Sequence, residues 1–574
     1  MNAPGPIDGI EPGRQLIRVA SEPGTSLAAR LAVQVQRLAW RLPSHALRLR
    51  GRYPLKLLAV PTDPIPGNAA DGADLLEGWI RHGGVGVELA TVDFADPATI
   101  PAALVDHVQT FGFLRDLAVA GPRERAAPIA ELIVRQWLGV HGGAVTDAGW
   151  RPEHWGRRIL AWGAHAPLIL SSQDIVYRSA VLNALARGAR HLDRGADKAP
   201  PGLPRIAAWC GVVAAGLLIP GGDIRLAHGE QGLARTLAAS VPADGGLASR
   251  CPTGQLELIE LLSQLLEVYA ARRRDVPDML TALLTRAVPA LLGVTMGDGG
   301  LSSWQGGGPV SAKRVATAVA ASGIRTRPLR QARDWGYQRL AAQGTLIVID
   351  AAPPPVARLS TGGCASTLAF EMSDGAQRLI VNCGGAAGLA LLPTELVDGL
   401  RTTAAHSTLT LADTNSTALH PDGSLGRGVA EVALDRQEVD AGSRLEASHD
   451  GYVRRYGLIH RRQLMLSADG REVRGEDLLL PGGRRRRSEQ QAFAIRFHLA
   501  PGVSVSTTAD GQGALLRIAD GGSWQFRCRG GALTVEDSLW VDPAGRPRAS
   551  SQLVMTGETP PGGADAGWVL KKVQ

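Results

Sequence analysis

Apolar residues recur at helical spacing through the first half of the chain, from residue 99 to about 325. Glycine- and proline-rich turns separate the periodic stretches, and no sustained β-branched alternation interrupts residues 99–300. Apolar positions three and four residues apart form one face of an amphipathic helix. The pattern therefore predicts an all-helical first half, with helices at 152–171, 173–194, 204–218, 223–240, 254–273 and 277–291.

The stretch 122–138 is also expected to contain a helix, provided that Pro128 lies in its first turn. Proline lacks an amide hydrogen, and in the first turn of a helix that hydrogen would have no partner. Elsewhere in a helix the same residue is unfavourable, so we expect this helix to begin close to Pro128.

After about residue 326 the pattern changes to short alternating or β-branched runs, for example at 345–350, 407–411 and 513–519. Many short strands separated by Gly, Asp and Pro are typical of a sandwich or a barrel. We expect the boundary between the two halves near residues 325–335. The halves are expected to share one cleft at their interface, a common location for ligand sites.

The segment from Ser26 to about Arg52 is basic and amphipathic, and no acidic residue occurs between Glu22 and Asp63. Such a helix could lie on an anionic membrane surface. Its apolar spacing favours the simpler interpretation, a first helix packed on the protein with its arginines in water. The predicted organisation is a basic N-terminal segment at 1–60, a helical domain at 61–328 and a β domain at 329–574.

The composition is typical of a soluble globular protein. The chain has 574 residues, of which 45% are hydrophobic and 20% charged, which predicts two or more domains. No uninterrupted apolar run reaches the roughly 18 residues of a transmembrane helix. The five cysteines have no C-x-x-C spacing, so neither a zinc site nor a disulfide framework is indicated. Together with a start that lacks a secretory signal, this predicts a cytoplasmic protein.

The net charge of +7, carried mostly by arginine, favours an anionic partner such as an acidic polysaccharide, nucleic acid or a phospholipid surface. An arginine-rich coding background explains the same charge equally well. The most basic run, Arg484–Arg487, is a solvated loop or an anion site. No aromatic residues interleave with it, so nucleic acid is not expected as a partner.

Three stretches of the second half carry imidazole, phenol and guanidinium groups. They are 401–416, with His406, then His449-Asp-Gly-Tyr452, and then His460-Arg-Arg462. Together with the runs at 335–340, 379–384 and 493–498, they resemble the C-terminal half of heparinase II/III-like polysaccharide lyases. The resemblance implies an α+β multidomain fold, in which an N-terminal all-α (α/α) toroid is followed by a C-terminal antiparallel β-sandwich.

The resemblance also implies a lyase that cleaves a uronate-containing acidic polysaccharide by β-elimination, with no cofactor and no metal. Characterised relatives of this kind are often exported, so the cell envelope or periplasm is the alternative location. A uronate lyase removes the C5 proton, which requires donors that offset the sugar carboxylate and a base within hydrogen-bond reach. Residues of this type in the motifs above are the candidates for the site.

His406 and Tyr452 are the candidate groups for proton transfer. The residues predicted to bind substrate are Asp244, Arg250, Trp304, Arg401, His449 and His460. Each also has a structural interpretation: His406 could bind neighbouring backbone, Asp244-Gly-Gly could form a turn before a helix that Pro252 opens, and Trp304 could be buried. In the alternating pattern expected after His449, residues 450, 452 and 454 would share one face of a strand.

The toroid motif departs from the family pattern at two positions. Characterised lyases have a toroid motif of the form acidic-x-Ser-Pro-x-Tyr-His, and the comparable stretch 249–255 has Gly254 and Gln255 in place of the tyrosine and histidine. The alternative function is therefore a non-catalytic acidic-glycan-binding or envelope-assembly protein that kept the fold. A hydrolase with two carboxylates is a third hypothesis, although no specific acidic pair stands out.

Overall fold

The fold of the protein is taken from a computed structural model. The structure describes residues 10, 13–19, 35, 38–51, 53–146, 149–360, 362–385, 392–482, 490–519, 521–560 and 562–573. Of the predicted basic segment 26–52, residues 35 and 38–51 are described and include the short helix Pro43–Arg48, whereas the run Arg484–Arg487 lies outside the described residues. No described helix is long and apolar enough to cross a membrane.

Helices dominate the described chain up to residue 322, as the apolar spacing predicts. The longer α-helices are α1 Ala102–Thr110, α2 Arg123–Trp137, α3 Pro152–Ala164, α4 Ile175–Gly195, α5 Leu203–Leu218, α6 Asp223–Ser240, α7 Pro252–Ala271, α8 Asp278–Gly293 and α9 Ala312–Ser322. Shorter ones are Pro43–Arg48, Ala69–Leu76, Phe113–Ala120, Ala166–Ile169, Thr394–Gly399 and Val453–Tyr456.

Helix α5 lies at the centre of this layer and is buried from Ile206 to Leu218. It packs against α3 and α6, and small residues allow the close approach. A Cβ added at Gly156 would lie only 2.0 Å from the Ala207 carbonyl oxygen, so only glycine fits there. The core around it is rich in aromatic rings, and Trp137, Trp155 and Trp162 are fully buried.

The helix predicted within 122–138 is present, but Pro128 is not in its first turn. It starts at Arg123, so Pro128 lies in the second turn and not in the first. A proline there removes one backbone hydrogen bond and crowds the preceding turn, a cost that the buried face of the helix offsets through Ala130, Ile133 and Val134. Tertiary packing, not local propensity, sets this helix boundary.

The second half forms two antiparallel sheets. The first has nine strands in the order β1-β9-β10-β11-β12-β19-β16-β15-β14, and the second has the order β17-β18-β13-β7-β6-β5-β4 with β8 beside β13. Their bounds are β1 Gln15–Arg18, β4 Tyr337–Ala342, β5 Thr345–Asp350, β6 Phe370–Asp374, β7 Gln377–Val381, β8 Leu409–Leu411, β9 Glu431–Val439, β10 Gly442–His449, β11 Leu458–Ser467, β12 Glu472–Pro481, β13 Gln491–Leu499, β14 Val503–Thr507, β15 Gly513–Ile518, β16 Ser523–Arg529, β17 Ala532–Val541, β18 Pro547–Thr559 and β19 Ala564–Val573.

Three strands lie outside the regions where the sequence pattern predicted them. Strand β1, near the N-terminus, pairs with β9 of the C-terminal sheet, with Ile17 opposite Val432. A small hairpin, β2 Trp79–His82 and β3 Val85–Glu88, lies within the helical half. Each of these three strands has only four residues, which is too short to produce a periodic signal in the sequence.

Two ion pairs, of which Arg250–Asp350 is buried, join the helical half to the sandwich. The Arg250 guanidinium lies 2.5 Å from the carboxylate of Asp350 in β5, and Arg378 of β7 lies 2.8 Å from Asp298. Arg250 also donates to the carbonyls of Trp335 and Pro353. These contacts fix the toroid against the sandwich.

Candidate functional site

A groove of about 1500 Å³ opens on the sandwich, and we call it the sandwich groove. Its lining residues are Val19, His420, 354–357, 413–418, 425–430 and 450–456. The chain reaches it where β1 ends, because the Val19 amide donates to the Ala430 carbonyl at 2.9 Å. The groove thus lies beside the edge of the nine-stranded sheet.

One wall of the sandwich groove is a loop that Arg401 holds in place. Residues 418–427 fold back on themselves, with the Ala418 amide bonded to the Arg427 carbonyl. The buried Arg401 guanidinium donates to the carbonyls of Gly423 and His420 in this loop, and to Gly363. Arg401, which the sequence predicted to bind substrate, instead holds this wall of the groove in place through hydrogen bonds to its carbonyls.

The opposite wall is the turn that follows β10. The Asp450 carboxylate accepts hydrogen bonds from the Ala430 and Glu431 amides, at 2.8 and 3.1 Å. The short helix Val453–Tyr456 follows this turn, so the strand alternation predicted for 450, 452 and 454 does not occur. Glycine at 457, with φ of 72°, ends the helix and returns the chain to β11.

Three arginine side chains give the sandwich groove a positive rim. Arg427, Arg454 and Arg455 line it and are exposed. The lining acids are Asp413, which is exposed, and Asp450, whose carboxylate accepts the backbone hydrogen bonds of the turn. Because guanidinium groups form forked hydrogen bonds to carboxylates, this rim suits an anionic ligand.

Behind this groove, His449 and His460 belong to a buried chain of hydrogen bonds. They face each other on β10 and β11, with 3.2 Å between His449 Nε2 and His460 Nδ1. The Gly451 amide donates to His449 Nδ1, so in the neutral ring Nε2 carries the hydrogen and donates to His460. His460 Nε2 then donates to Asp477 at 2.8 Å. Both imidazoles are used as neutral connectors.

The chain of hydrogen bonds ends on an ion pair in the sandwich core. Arg462 donates two hydrogen bonds to Asp477, and the Trp568 indole donates a third at 3.0 Å. Burial alone would raise the pKa of Asp477, but the charge of Arg462 and the hydrogen bond from His460 outweigh it and lower that pKa. Burial lowers the pKa of His460 and, more strongly, of His449. Asp477 is the charged acceptor of this network.

The two candidate proton-transfer groups are in the sandwich interior. Tyr452 is 1% exposed and its hydroxyl donates to the Leu409 carbonyl at 2.9 Å. His406 is also 1% exposed, and its Nδ1 lies 2.7 Å from the Thr402 carbonyl. Burial raises the pKa of Tyr452 and lowers that of His406 to about 4. Tyr452 borders the sandwich groove but has almost no exposed surface there, and His406 does not line the groove.

The toroid residues predicted to bind substrate also have structural partners. Asp244 accepts hydrogen bonds from the Asp334 and Trp335 amides, and Arg250 forms the ion pair with Asp350. Trp304 is 1% exposed, and its indole nitrogen donates to Ser302. These side chains join loops inside the protein instead of presenting donors to a ligand.

Gln255, at the position of the family histidine, has a structural role. Its amide oxygen accepts from the Leu247 amide at 2.7 Å, and its nitrogen donates to the carbonyls of Gly245 and Ala287. Gly254, at the tyrosine position, has no side chain. This part of the toroid holds a turn together and carries no phenol or imidazole.

The sandwich groove is only partly the anion-selective cleft that the charge pattern predicted. Part of the predicted segment 401–462 does line the groove, whereas no residue of 244–250 does. The arginines on its rim, Arg427, Arg454 and Arg455, were not among the predicted site residues. Part of their sequence signal, Arg454 and Arg455 directly after the His449 motif, was present, but exposed arginine pairs are common on surfaces. Among the described residues, no group of His, Cys, Asp and Glu is arranged to hold a metal.

The fold of this chain, helices followed by a β-sandwich, is similar to that of known proteins. The C-terminal model of the heparinase II/III-like family matches residues 324–569. Heparinase III has a similar structure over 95% of this chain and 90% of its own, with a TM-score of 0.69 and 12% identity. The heparan sulfate lyase of Pedobacter heparinus, in a mutant form, covers 95% of this chain and 89% of its own, with a TM-score of 0.61 and 13% identity. A toroid followed by a sandwich, as here, is the polysaccharide lyase fold.

A curated relative extends the match to the whole length. FtsZ-localized protein C of Caulobacter vibrioides is 30% identical over 579 residues, which cover 96% of this chain and 96% of the relative. The chain belongs to the heparinase II/III-like family.

Proposed function

We propose that this protein is a non-catalytic member of its family that works as a binding and assembly protein on FtsZ structures. The observation that carries the proposal is the burial of His406 and Tyr452, the two groups best suited to proton transfer. Both are bonded to backbone carbonyls in the sandwich, and Tyr452, although it borders the sandwich groove, is only 1% exposed.

A working lyase needs a base that reaches the C5 proton and has a pKa near the working pH. The pKa of His406, lowered to about 4 by burial, makes it a weak base. Gly254 removes the other phenol that the family uses. The loss of both sources of acid–base chemistry argues for a retained fold with a different use.

The partner class comes from the relative that matches the full length. Its name describes a protein localized with FtsZ, and 30% identity over 96% of both chains supports a related role here. Such a role fits the cytoplasmic location expected from the sequence. Binding of an acidic glycan is the rival function, and its support is the lyase fold together with the net positive charge.

Co-sedimentation with FtsZ tests the proposal. Purified full-length protein is mixed with FtsZ polymers assembled with GTP, and with unassembled FtsZ as the control, and the pellets are compared. We expect the protein in the pellet only with polymers. Its absence from the pellet at all concentrations tested would overturn the proposal.

A parallel assay separates the rival functions. The protein is incubated with a panel of uronate-containing polysaccharides while the absorbance of the unsaturated uronate product is followed, with an active heparin lyase as positive control. We expect no rise. A rise in absorbance would identify a lyase. If the protein binds a glycan, gives no rise in absorbance and does not pellet with FtsZ, it is a glycan-binding protein.

A further inference from the structure

We propose that the sandwich groove binds an extended protein segment that carries acidic and aliphatic side chains. The inference deepens the proposed function and rests on it, because it assigns to a binding protein the surface that takes its partner. It draws on the charge of the rim, the apolar character of the walls, the shape of the groove and the rigidity of its loops.

The charge of the rim selects an anion. Arg427, Arg454 and Arg455 are exposed on the groove, and the structure shows no ion pair between them and another described residue. Arg455 also lies over the Tyr456 ring, with 5.3 Å between the guanidinium carbon and the ring centroid, which limits its motion. Exposed guanidinium groups held near each other are suited to two or three carboxylates spaced along one ligand.

The walls favour a peptide over a sugar polymer. Val356, Leu425 and Val453, which are partly exposed, supply an apolar surface beside the arginines. Sugar sites use exposed aromatic faces for stacking, whereas the lining tyrosines, Tyr452 and Tyr456, are buried. Aliphatic side chains of a bound segment would therefore find apolar contacts, and a pyranose ring would find no platform.

The volume indicates an extended ligand. About 1500 Å³ exceeds the roughly 300 to 1000 Å³ typical of pockets for small molecules. The groove also runs beside the sheet edge, where the Val19 amide donates to the Ala430 carbonyl and both residues line it. A segment of several residues can lie in such a groove without entering the protein.

Both walls are preorganised by buried groups. Arg401 holds three carbonyls of the loop around His420, and Asp450 holds the Ala430 and Glu431 amides. His449 accepts from the Gly451 amide and so anchors the turn that carries Arg454 and Arg455. Because these loops are fixed before binding, little conformational entropy is lost when a ligand binds.

Fluorescence anisotropy with a labelled peptide tests the inference. The probe is a short fluorescein-labelled peptide that alternates glutamate with valine and leucine. A second peptide with lysine in place of glutamate, and a labelled oligoglucuronate, are the comparison probes. We expect the full-length protein to bind the acidic peptide more tightly than either of them, and to bind it less tightly as the salt concentration rises.

Charge reversal assigns binding to the sandwich groove. Arg454→Glu and Arg427→Glu should each weaken binding of the acidic peptide by about tenfold or more. Arg548→Glu is the matched control, because Arg548 is an exposed arginine in β18 of the other sheet. It should bind the peptide as the wild type does, and the thermal unfolding of all three variants should match the wild type.

Three results would overturn the inference: no binding of the acidic peptide by the wild type, equal loss in Arg454→Glu and Arg548→Glu, or tighter binding of oligoglucuronate than of the peptide. FtsZ pelleting separates this failure from failure of the proposed function. If the wild type and Arg454→Glu pellet equally with FtsZ, the groove is not the partner surface and the assembly role stands. If the wild type does not pellet, the assembly role itself fails.

Discussion

The segment from Arg427 to Arg462 contains two sets of basic side chains that differ in burial. Arg462, His449 and His460 lie inside the sandwich, where each is hydrogen-bonded. Arg427 and Arg454 lie on the surface of the groove. Residue type alone therefore does not show which basic side chains support the fold and which can contact a ligand. The guanidinium group of Arg462 is hydrogen-bonded in the core, whereas that of Arg454 is exposed on the groove.

The alternation of β11 explains this division. Leu458, His460, Arg462 and Leu464 all face the interior, since successive side chains of a strand point to opposite faces. A buried arginine needs a buried acid, and Asp477 of the neighbouring strand supplies it. The short helix Val453–Tyr456 follows different geometry and turns its arginines outward.

Truncation of the buried arginine should have the largest effect. Arg462→Ala leaves Asp477 buried without its ion-pair partner and leaves the carbonyls of Leu368 and Ser407 without donors. We expect the free energy of unfolding of the sandwich to fall by about 3–5 kcal/mol. Urea unfolding followed by tryptophan fluorescence measures this loss. A loss no larger than that of Arg454→Ala would contradict the contrast between core and groove.

The pH dependence of stability should show that His406 belongs to the core. Its pKa is about 4 in the folded protein, below the usual 6.5, so the unfolded chain takes up a proton that the folded chain does not. Stability should therefore fall as pH drops from about 6.5 towards 4. One group of this kind contributes about 1.4 kcal/mol per pH unit.

The measurement is the difference in unfolding free energy between the wild type and His406→Asn across this pH range. The advantage of the wild type should shrink as the pH falls, because the variant has no imidazole to protonate. Tyr452→Phe is the control, because burial raises the pKa of this phenol and it stays protonated throughout this range; it should lower stability equally at every pH. A difference that stays constant with pH would place His406 in a solvated site.

Loss of the Tyr452 hydroxyl should have a moderate effect on stability. Tyr452→Phe removes one buried hydrogen bond to the Leu409 carbonyl, which is worth about 1 kcal/mol. Tyr53→Phe, at an exposed tyrosine, should change stability very little. A fall in turnover on an acidic glycan by about 100-fold or more would instead give Tyr452 a role in proton transfer.

The smallest change in the free energy of unfolding is expected for a substitution on the surface of the sandwich groove. Arg454→Ala should change the unfolding free energy by no more than about 0.5 kcal/mol, because the side chain is exposed and the structure shows no ion pair for it among the described residues. Thermal unfolding beside the wild type checks this. A loss of several kcal/mol would show that Arg454 supports the fold.

Periodicity was sufficient for the order and type of most elements. The predicted helix at 204–218 is observed as Leu203–Leu218, and that at 223–240 as Asp223–Ser240. The predicted strand at 345–350 has the same bounds in the structure. These segments combine long or strongly apolar patterns with clear turn residues, so local sequence and tertiary packing favour the same structure.

The candidate site was predicted less well. The motifs coincide with part of the groove, since residues 413–418 and 450–456 line it, but they did not single out the exposed arginines of its rim. The strand predicted beyond His449 ends there because Gly451 binds the histidine and a helical turn follows. Such local hydrogen bonds have no periodic signature.

The sequence by itself determined the architecture, a helical toroid followed by a β-sandwich, and the family to which the chain is related. Only the tertiary structure decided which polar side chains are buried, because burial depends on partners far apart in sequence. Asp350 lies 100 positions from Arg250, and β1 pairs with a strand more than 400 residues away. The spacing of hydrophobic residues shows which face of a helix or strand is buried. Which other residues bury that face is decided by how the helices and strands pack together.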